Sequence, residues 1–546
     1  MLMASSLFQA ILSARGLDDP TVRDGFLNPS YDARHDPFLL PDMGNAVERL
    51  VRARQNQEHL TIYGDYDIDG LTATAVLLDA FASFGFAHVE AFIPNRFVEG
   101  YGLTVDAIER IAAAGAQLIV TVDCGSLSQK EIERANELGV DIIVTDHHNV
   151  LEVQPPAVAV INPKRPDHSY PFIDLAGVGV AFKLVQALQT RLPGLEPGQE
   201  KWLLDLVALG TVCDVVSLVD ENRANVYWGL KVLSKTRRPG LKALMAVARV
   251  EPHTVNARSL GFGLGPRMNA AGRLETAQIA LDMLTARDPM MALEKAQELD
   301  ALNSARRAEQ DTIYKAAVEQ AKQYEPDDVL VVSAPDWNHG IIGIVAAKLL
   351  EKFHKPTFVL QEMGSESKGS ARSYGDFSAA DAIRAADDII SKGGGHKAAA
   401  GVTLPTKNIQ AFRERVNAYY RELGLKNQRE LLLPREDVLA EIDQVGEELV
   451  SEIAALEPFG NGNLQPVLRS DGLVVVHVRR MGADGQHVKL ELRPPAGKTM
   501  QFLAFNAPDH FFAEIGTVVS VWYQPDVNEW QGRRTVEGRL LHLVVG

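Results

Sequence analysis

Cysteine is almost absent: the 546 residues hold two, Cys124 and Cys213. That excludes a secreted disulfide framework, and two thiolates cannot by themselves complete a structural zinc site. Both are expected to be small buried packing residues, in a chain suited to a reducing cytoplasm. No apolar run is long enough to span a bilayer, which takes about 20 residues. The opening Met1-Leu2-Met3-Ala4-Ser5-Ser6-Leu7 lacks a basic start, a long apolar core and a cleavage site. An amphipathic helix is expected there rather than a signal peptide, and no membrane partner. Repeats of solenoid period and low-complexity tracts are missing too. Positive charge is in deficit, with 55 Lys and Arg against 71 Asp and Glu and a net charge of −16. Whole-surface attraction to nucleic acid is thereby disfavoured. A nucleic-acid enzyme is not, because a channel needs only a local basic track, and carboxylates at a metal site count as negative until metal binds. What is present is an ordinary globular composition, 46% hydrophobic and 23% charged, in a chain long enough for several domains.

From residue 60 the chain alternates short apolar runs with amphipathic ones. Residues 60–63, 89–93, 118–122 and 141–145 are expected strands, and 71–84, 105–114 and 129–138 expected helices. That rhythm predicts an α/β unit with a parallel sheet covered by helices on both faces. Residues 177 to about 286 are mostly helical in pattern. A run without breakers from Pro289 to Tyr324 predicts one long helix bridging two domains. A second, smaller α/β unit follows, with strands at 329–332 and 357–360 and helices at 341–353, 379–391 and 409–423. Gly393-Gly394-Gly395-His396 is expected to be a loop. Residues 426–435 form a linker and 445–456 a helix. After Pro466, short alternating segments predict a small β-barrel or sandwich.

Parallel sheets gather ligands at the C-terminal ends of their strands, and the acidic motifs fall there. Asp65, Asp67 and Asp69 alternate in a loop closed by Gly70. Like charges this close repel unless a cation or hydrogen bonds compensate them. An EF-hand loop would continue to a closing Glu, whereas Leu, Thr, Ala and Val follow here; a solvated, helix-capping loop is an equally open alternative for this segment alone. Asp123 ends an apolar strand, where an aspartate can simply cap a turn. Asp146-His147-His148 is more specific, since adjacent histidines after a strand end can present one imidazole to metal and the other to substrate. Asp214 closes the apolar stretch 202–213, where a lone carboxylate needs a partner. Together these hard oxygens and an imidazole suit Mn²⁺ or Mg²⁺ better than Zn²⁺. Two such ions about 3.5–4 Å apart, bridged by Asp123, would serve phosphoryl displacement.

In their order, Gly64-Asp65-Tyr66-Asp67-Ile68-Asp69-Gly70, Asp123-Cys124-Gly125, Asp146-His147-His148 and Gly210-Thr211-Val212-Cys213-Asp214 resemble the four motifs of the DHH phosphoesterase superfamily. The resemblance implies Asp67, Asp69, Asp123, His147 and Asp214 as metal ligands, with Asp65 supporting or joining them. It implies a catalytic group of Asp123, His148 and Asp146, with His148 at the scissile phosphate. Tyr63 stands where the pyrophosphatases of this superfamily carry a histidine ligand, so their first-metal shell is not carried over. Residues 393–401 resemble the signature of the associated DHHA1 domain. Bare backbone N–H groups at Gly394 and Gly395, with His396 and Lys397, suit a phosphate, as do Ser370, Arg372 and Ser373. Residues 94–103, 265–274 and 337–346 resemble RecJ exonucleases in particular, as do Ala14-Arg15-Gly16 and His35-Asp36-Pro37. In that resemblance Arg96 and Arg267 lie near a 5′-terminal phosphate, Tyr101 stacks on a base, and Asn269 and Arg273 line the same substrate path.

The organisation so implied is α/β: an N-terminal helical region (1–50), a parallel-sheet DHH catalytic domain (51–288), a connecting helix (289–324), a smaller α/β DHHA1 substrate-binding domain (325–425) and an all-β OB-like barrel with a preceding helix (436–546). Arg479, Arg480, Lys489 and Trp522 are candidate barrel contacts to DNA. The implied activity is a 5′→3′ exonuclease specific for single-stranded DNA, releasing 5′-mononucleotides with two Mn²⁺ or Mg²⁺ ions. It would act in repair and recombination, beside a single-strand binding protein and a RecQ-type helicase. An oligoribonuclease or other small-phosphodiester hydrolase is the alternative, and the extra N-terminal region and barrel weigh against it. A degenerate binding module would have lost motif carboxylates, all of which are present.

Overall fold

The computed structural model of the chain describes residues 5–426 and 428–546. Residues 1–4 of the expected opening helix lie outside the described residues, as does Asn427 in the expected linker. Strands β1 (His59–Gly64), β2 (His88–Phe92), β3 (Leu118–Val122), β4 (Asp141–Thr145) and β5 (Ala159–Ile161) form an all-parallel sheet in the order β2-β1-β3-β4-β5. β3 is buried along its whole length, as a central strand covered on both faces requires. The helix Ile68–Phe84 runs through the same core and packs on the helices Gly177–Gln189 and Leu204–Cys213. Its buried threonines cause no deficit: Thr72 donates its hydroxyl to the Ile68 carbonyl (2.7 Å) and Thr74 to that of Gly70 (2.8 Å).

The expected long helix spans Pro289–Gln323, with Asp288 as its N-cap and Pro289 in the first turn. Its buried residues include Ala292, Ala296, Leu299, Asn303, Arg306, Gln310, Ile313 and Ala317, alternating in steps of three and four along one stripe. The first half of that stripe packs on helices of the catalytic half, including Gly265–Leu274. Its second half packs on the helix Ile342–Phe353 of the second unit.

The second sheet contains β6 (Leu330–Ala334), β7 (Thr357–Met363), β8 (Glu366–Arg372), β9 (Lys392–Gly395) and β10 (Ala399–Pro405), in the order β6-β7-β8-β10-β9. β6 and β7 pair in parallel, and the remaining pairs are antiparallel. Two expectations are corrected here. Gly393, Gly394 and Gly395 form an exposed edge strand, not a loop; a glycine run carries no side-chain periodicity, so only its ladder to β10 reveals it. The expected helix 379–391 is helical over Ala379–Arg384, followed by a short 3₁₀ turn at Asp387–Ile389.

After β11 (Val438–Leu439), the strands β12 (Leu468–Met481), β13 (His487–Arg493), β14 (Met500–Ala504), β15 (Val518–Trp530) and β16 (Arg533–Val545) close into a barrel in the order β12-β13-β14-β16-β15, completed by β12–β15 pairing. β14 and β16 are parallel and the other barrel pairs antiparallel, the strand arrangement of an OB fold. The N-terminal helix Ser6–Ala14 completes this distant core: Ile11 and Leu12 pack with Leu449, Leu490, Phe502 and Tyr523. Arg15 secures it, donating to Asp437 (2.8 Å) and Asn463 (3.0 Å). Ile11→Ala should therefore weaken the barrel, by about 2–5 kcal/mol for a fully buried truncation. Amide hydrogen exchange should show protection falling in β12–β16 with little change in β1–β5; the reverse pattern would contradict this packing.

Candidate active site

Three loops leave the C-terminal edge of the parallel sheet, and a helix end meets them. Asp65, Asp67 and Asp69 follow β1, Asp123 follows β3, Asp146-His147-His148 follow β4, and Asp214 is the C-cap of Leu204–Cys213. The loop after β1 folds back so tightly that a Cβ on Gly70 would lie 2.6 Å from the backbone nitrogen and oxygen of Asp65. Asp67 caps the helix Ile68–Phe84, accepting from the Asp69 (2.9 Å) and Gly70 (3.2 Å) amides. Asp69 accepts from the Gly177 (2.6 Å) and Val178 (2.8 Å) amides at the start of another helix. Asp123 adopts φ 62°, a left-handed conformation costly for a non-glycine residue and characteristic of functional turns.

Ligand-type atoms converge in three overlapping groups, each within 4.8 Å: Asp123, His147 and His148; Asp69, His147 and Asp214; Asp65, Asp67 and Asp123. His147 Nε2 lies 3.1 Å from Asp123, 3.6 Å from Asp214 and 3.8 Å from Asp69. Yet His147 Nε2, Asp65 Oδ1, Asp123 Oδ1 and Asp214 Oδ2 are buried with no hydrogen-bond partner among the described residues. Burial, then the neighbouring carboxylates, push Asp65 to about 8, Asp69 to about 7 and Asp214 to about 9, and hold Asp123 well above the usual range. Burial, then His148, push His147 down to about 3, leaving it neutral. Acceptor oxygens with no donor, beside a neutral imidazole, are the donor set that hard or borderline divalent cations take.

Asp146 and His148 behave differently. Asp146 accepts from the amides of Ser126 (2.9 Å), His147 (2.7 Å) and His148 (3.1 Å) and from the His148 ring (2.8 Å). Burial opposes its charge, but the His148 ring and these donors outweigh it and lower the Asp146 carboxyl. Burial likewise opposes charge on His148, while the Asp146 bond and carboxylate hold the ring above its usual value. Tyr101, exposed at 56%, brings its hydroxyl to 3.3 Å from His148 Nδ1. His148 thus leans towards its charged form at the mouth of the cluster. Tyr63 points elsewhere, donating to the Gly102 carbonyl (3.0 Å), away from a ligand role.

Across the cleft lies an opposite pole. Arg273 is pushed down to about 10 by burial, then by Arg96, Arg306 and Arg372. Arg96 stacks on Tyr66 (4.3 Å), and Arg372 donates to Ser370 (3.2 Å). Gly343 lets these groups approach, since a Cβ there would lie 2.9 Å from the Ser370 hydroxyl and 3.1 Å from Arg372 Nη2. Arg273 donates to the Gly340 carbonyl (2.9 Å), tying the two α/β units together. From the edge strand, His396 reaches Asn149, next to His148, at 3.5 Å.

Several expected contacts lie elsewhere. Arg267 pairs with Asp300 (2.7 Å) on the connecting helix instead of facing the cleft. The Ser373 hydroxyl is spent on the Lys397 carbonyl. Gly394 and Gly395 stand in an edge strand whose one neighbour is β10, so alternate amides enter that antiparallel ladder and the others face the open edge. Trp522 donates to Glu436 (2.8 Å), Lys489 faces Glu537 (3.4 Å), and Arg480 lies exposed over Phe512. A cavity of about 1250 Å³ instead opens between the catalytic half, the connecting helix and other barrel residues; Asn269, Arg273 and Arg306 line one side, Phe505, Gln524 and Arg539 the other. Cys213, expected to be buried, is half-buried on its wall. Arg306 and Gly177 were not signalled by motif or spacing as groups that shape the site, and Gly210 stood in the fourth motif without a role of its own. A Cβ on Gly177 would lie 2.7 Å from Asp123 Oδ1, and one on Gly210 3.0 Å from Asp69 Oδ1.

Comparison with known proteins agrees with this arrangement. Family models match residues 59–211 (DHH family, N-terminal domain), 327–422 (DHHA1 domain) and 437–542 (RecJ OB domain). The single-stranded-DNA-specific exonuclease RecJ of Bacillus subtilis (strain 168) is 36% identical over 537 residues, covering 98% of this chain and 67% of its own. That of Escherichia coli (strain K12) is 35% identical over 523 residues, covering 91% and 89%. The crystal structure of RecJ in complex with Mn²⁺ from Thermus thermophilus superposes with a TM-score of 0.85 at 30% identity, covering 99% of this chain and 76% of that one. RecJ from the same organism has also been solved with Mg²⁺. With its acidic cluster at the sheet edge and its full-length likeness to these exonucleases, the chain belongs to the RecJ family of DHH phosphoesterases.

Proposed function

We propose that this chain is a 5′→3′ exonuclease specific for single-stranded DNA, releasing 5′-mononucleotides. The observation that carries it is the juxtaposition of a buried carboxylate–histidine cluster with a group of arginines around Arg273, which with Arg306 also lines a cavity shared with the OB barrel. The domain limits 51–288, 289–324, 325–425 and 436–546 then divide the work into catalysis, connection, grip on the terminal phosphate and grip on the strand. Among the described residues no helix is long and apolar enough to cross a membrane. Action in the cytoplasm during repair and recombination, with a single-strand binding protein and a RecQ-type helicase, fits this activity.

Asp65, Asp67, Asp69, Asp123, His147 and Asp214 would hold two Mn²⁺ or Mg²⁺ ions, Asp123 and His147 each belonging to two of the converging groups. Such ions supply Lewis acidity to the scissile phosphate and make bound water a nucleophile near neutral pH. The remaining work falls to side chains. Asp146 orients His148 and favours its protonated form, from which His148 donates to an oxygen of the scissile phosphate. Tyr101, beside it, offers its ring to the terminal base. Arg96, Arg273, Ser370 and Arg372, with His396, grip the 5′-terminal phosphate. Specificity for single strands would follow from a channel between the two α/β units too narrow for a stacked duplex.

A 5′-labelled single strand incubated with Mn²⁺ should lose its label as mononucleotide from the earliest times; shortening only from the 3′ end would overturn the polarity. His148→Ala should lower kcat by about 10²–10⁴-fold with a smaller effect on KM, and Asp146→Asn by about 10–100-fold, as expected of a supporting partner. Asp123→Asn should abolish turnover together with Mn²⁺ uptake measured by calorimetry; retained activity would refute the cluster's role. The raised carboxylates also set a pH dependence. In the metal-stripped protein they keep protons that the unfolded chain releases above about pH 4. Unfolding therefore releases protons, and stability should fall as pH rises from there through the folded values of about 7 for Asp69 and about 9 for Asp214. Mn²⁺ takes the ionised form, so its stabilisation in thermal melts should grow with pH across that window. A shift independent of pH would contradict ligation by these groups.

A further inference from the structure

The connecting helix carries a charge that neither the carboxylate cluster nor the Ser370–Arg372 pocket uses. Arg306 is only 8% exposed, midway along Pro289–Gln323, and it lines the large cavity. A buried guanidinium ordinarily faces a carboxylate. Arg306 instead donates to two neutral amides one turn away on its own helix, Asn303 Oδ1 (3.0 Å) and Gln310 Oε1 (2.9 Å). Both amides are buried as well. Its Nε is buried without a hydrogen-bond partner among the described residues. Neutral amides fix the plane of the guanidinium without cancelling its charge, which leaves the charge available to an anion.

The neighbourhood strengthens the point. Arg273 shares the cavity wall and lies within electrostatic reach of Arg306, Arg96 and Arg372. Like charges accumulate there only where a ligand of opposite sign is expected. Arg273 therefore joins the terminal-phosphate pocket to the cavity, whose lining adds Arg306 and, from the barrel, Arg539. A terminal phosphate occupies the pocket. A strand leaving it through the cavity presents further phosphates to the guanidiniums there.

We propose that Arg306 binds an internal phosphodiester of the single strand where it crosses the cavity, beyond the terminal phosphate. This role rests on the exonuclease function proposed above. It makes the connecting helix part of the substrate path as well as a strut, and it gives the enzyme a preference for strands long enough to reach Arg306.

The test compares Arg306→Gln and Arg306→Lys with the unaltered protein, on a 5′-phosphorylated dinucleotide and on a long 5′-phosphorylated single strand with Mn²⁺. For Arg306→Gln, KM on the long strand should rise about tenfold, and the slope of log KM against log salt should fall by about one phosphate contact. The rise on the dinucleotide should be smaller. Arg306→Lys should keep the salt slope, since it keeps the charge. Equal losses on both substrates, or an unchanged salt slope in Arg306→Gln, would overturn the proposal; equal losses are also what a merely structural role would produce. Failure of the unaltered protein to degrade single-stranded DNA would instead defeat the proposed function itself, before any variant is compared.

Discussion

Carboxylates crowded into a region nearly closed to water are the constraint on which the rest of the structure depends. Asp65, Asp69 and Asp123 are buried and lie close to Asp67 and Asp214, so burial and mutual repulsion both oppose their ionisation. Backbone amides meet part of that cost: Asp67 and Asp69 each accept from two at the starts of helices. The remainder falls on oxygens that no protein donor among the described residues reaches, and a shared divalent cation answers that need. Glycine is required around the cluster for a steric reason. Side chains at Gly70, Gly177 or Gly210 would intrude on Asp65, Asp123 or Asp69.

The opposite pole explains how an acidic protein can handle a polyanion. Its net charge of −16 is an average over the whole chain. Within the cleft, Arg96, Arg306 and Arg372 lie close enough to depress Arg273, and His148 leans to its charged form on Asp146. In the proposed function a substrate phosphate meets donors on one side and the carboxylate cluster on the other, in a region of low dielectric where both act strongly. The connecting helix holds these poles in fixed relation, because one buried stripe packs on both α/β units.

Much of this was legible in sequence wherever a side-chain pattern carried it. The apolar runs at β1, β3 and β4 announced a parallel sheet, and the aspartates after them fell on its C-terminal edge. The division between the histidines also follows from their neighbours: His147 faces Asp123, Asp214 and Asp69, while His148 turns to Asp146 and Tyr101. Patterns failed where the backbone acts without side chains, as at Gly393–Gly395, which form an edge strand on β10. They failed again where a charged or polar residue had two destinations. Arg267 found Asp300, and Trp522 found Glu436, partners that lie well outside the motif segments.

The amino-acid sequence by itself determined the chemistry on offer: which strands would form, which oxygens and imidazoles would stand at their ends, and to which superfamily that order belongs. These are local properties, written in hydrophobic period and motif spacing. Tertiary structure alone decided which of those groups meet. It brought Arg306 to the cavity beside Arg273, sent Arg267 away to Asp300, and closed the C-terminal barrel with a helix from the other end of the chain. The physical reason is that a guanidinium or a carboxylate carries no address. Its role depends on the charge, the donor or the space that packing places beside it, and that neighbour comes from residues far away along the chain.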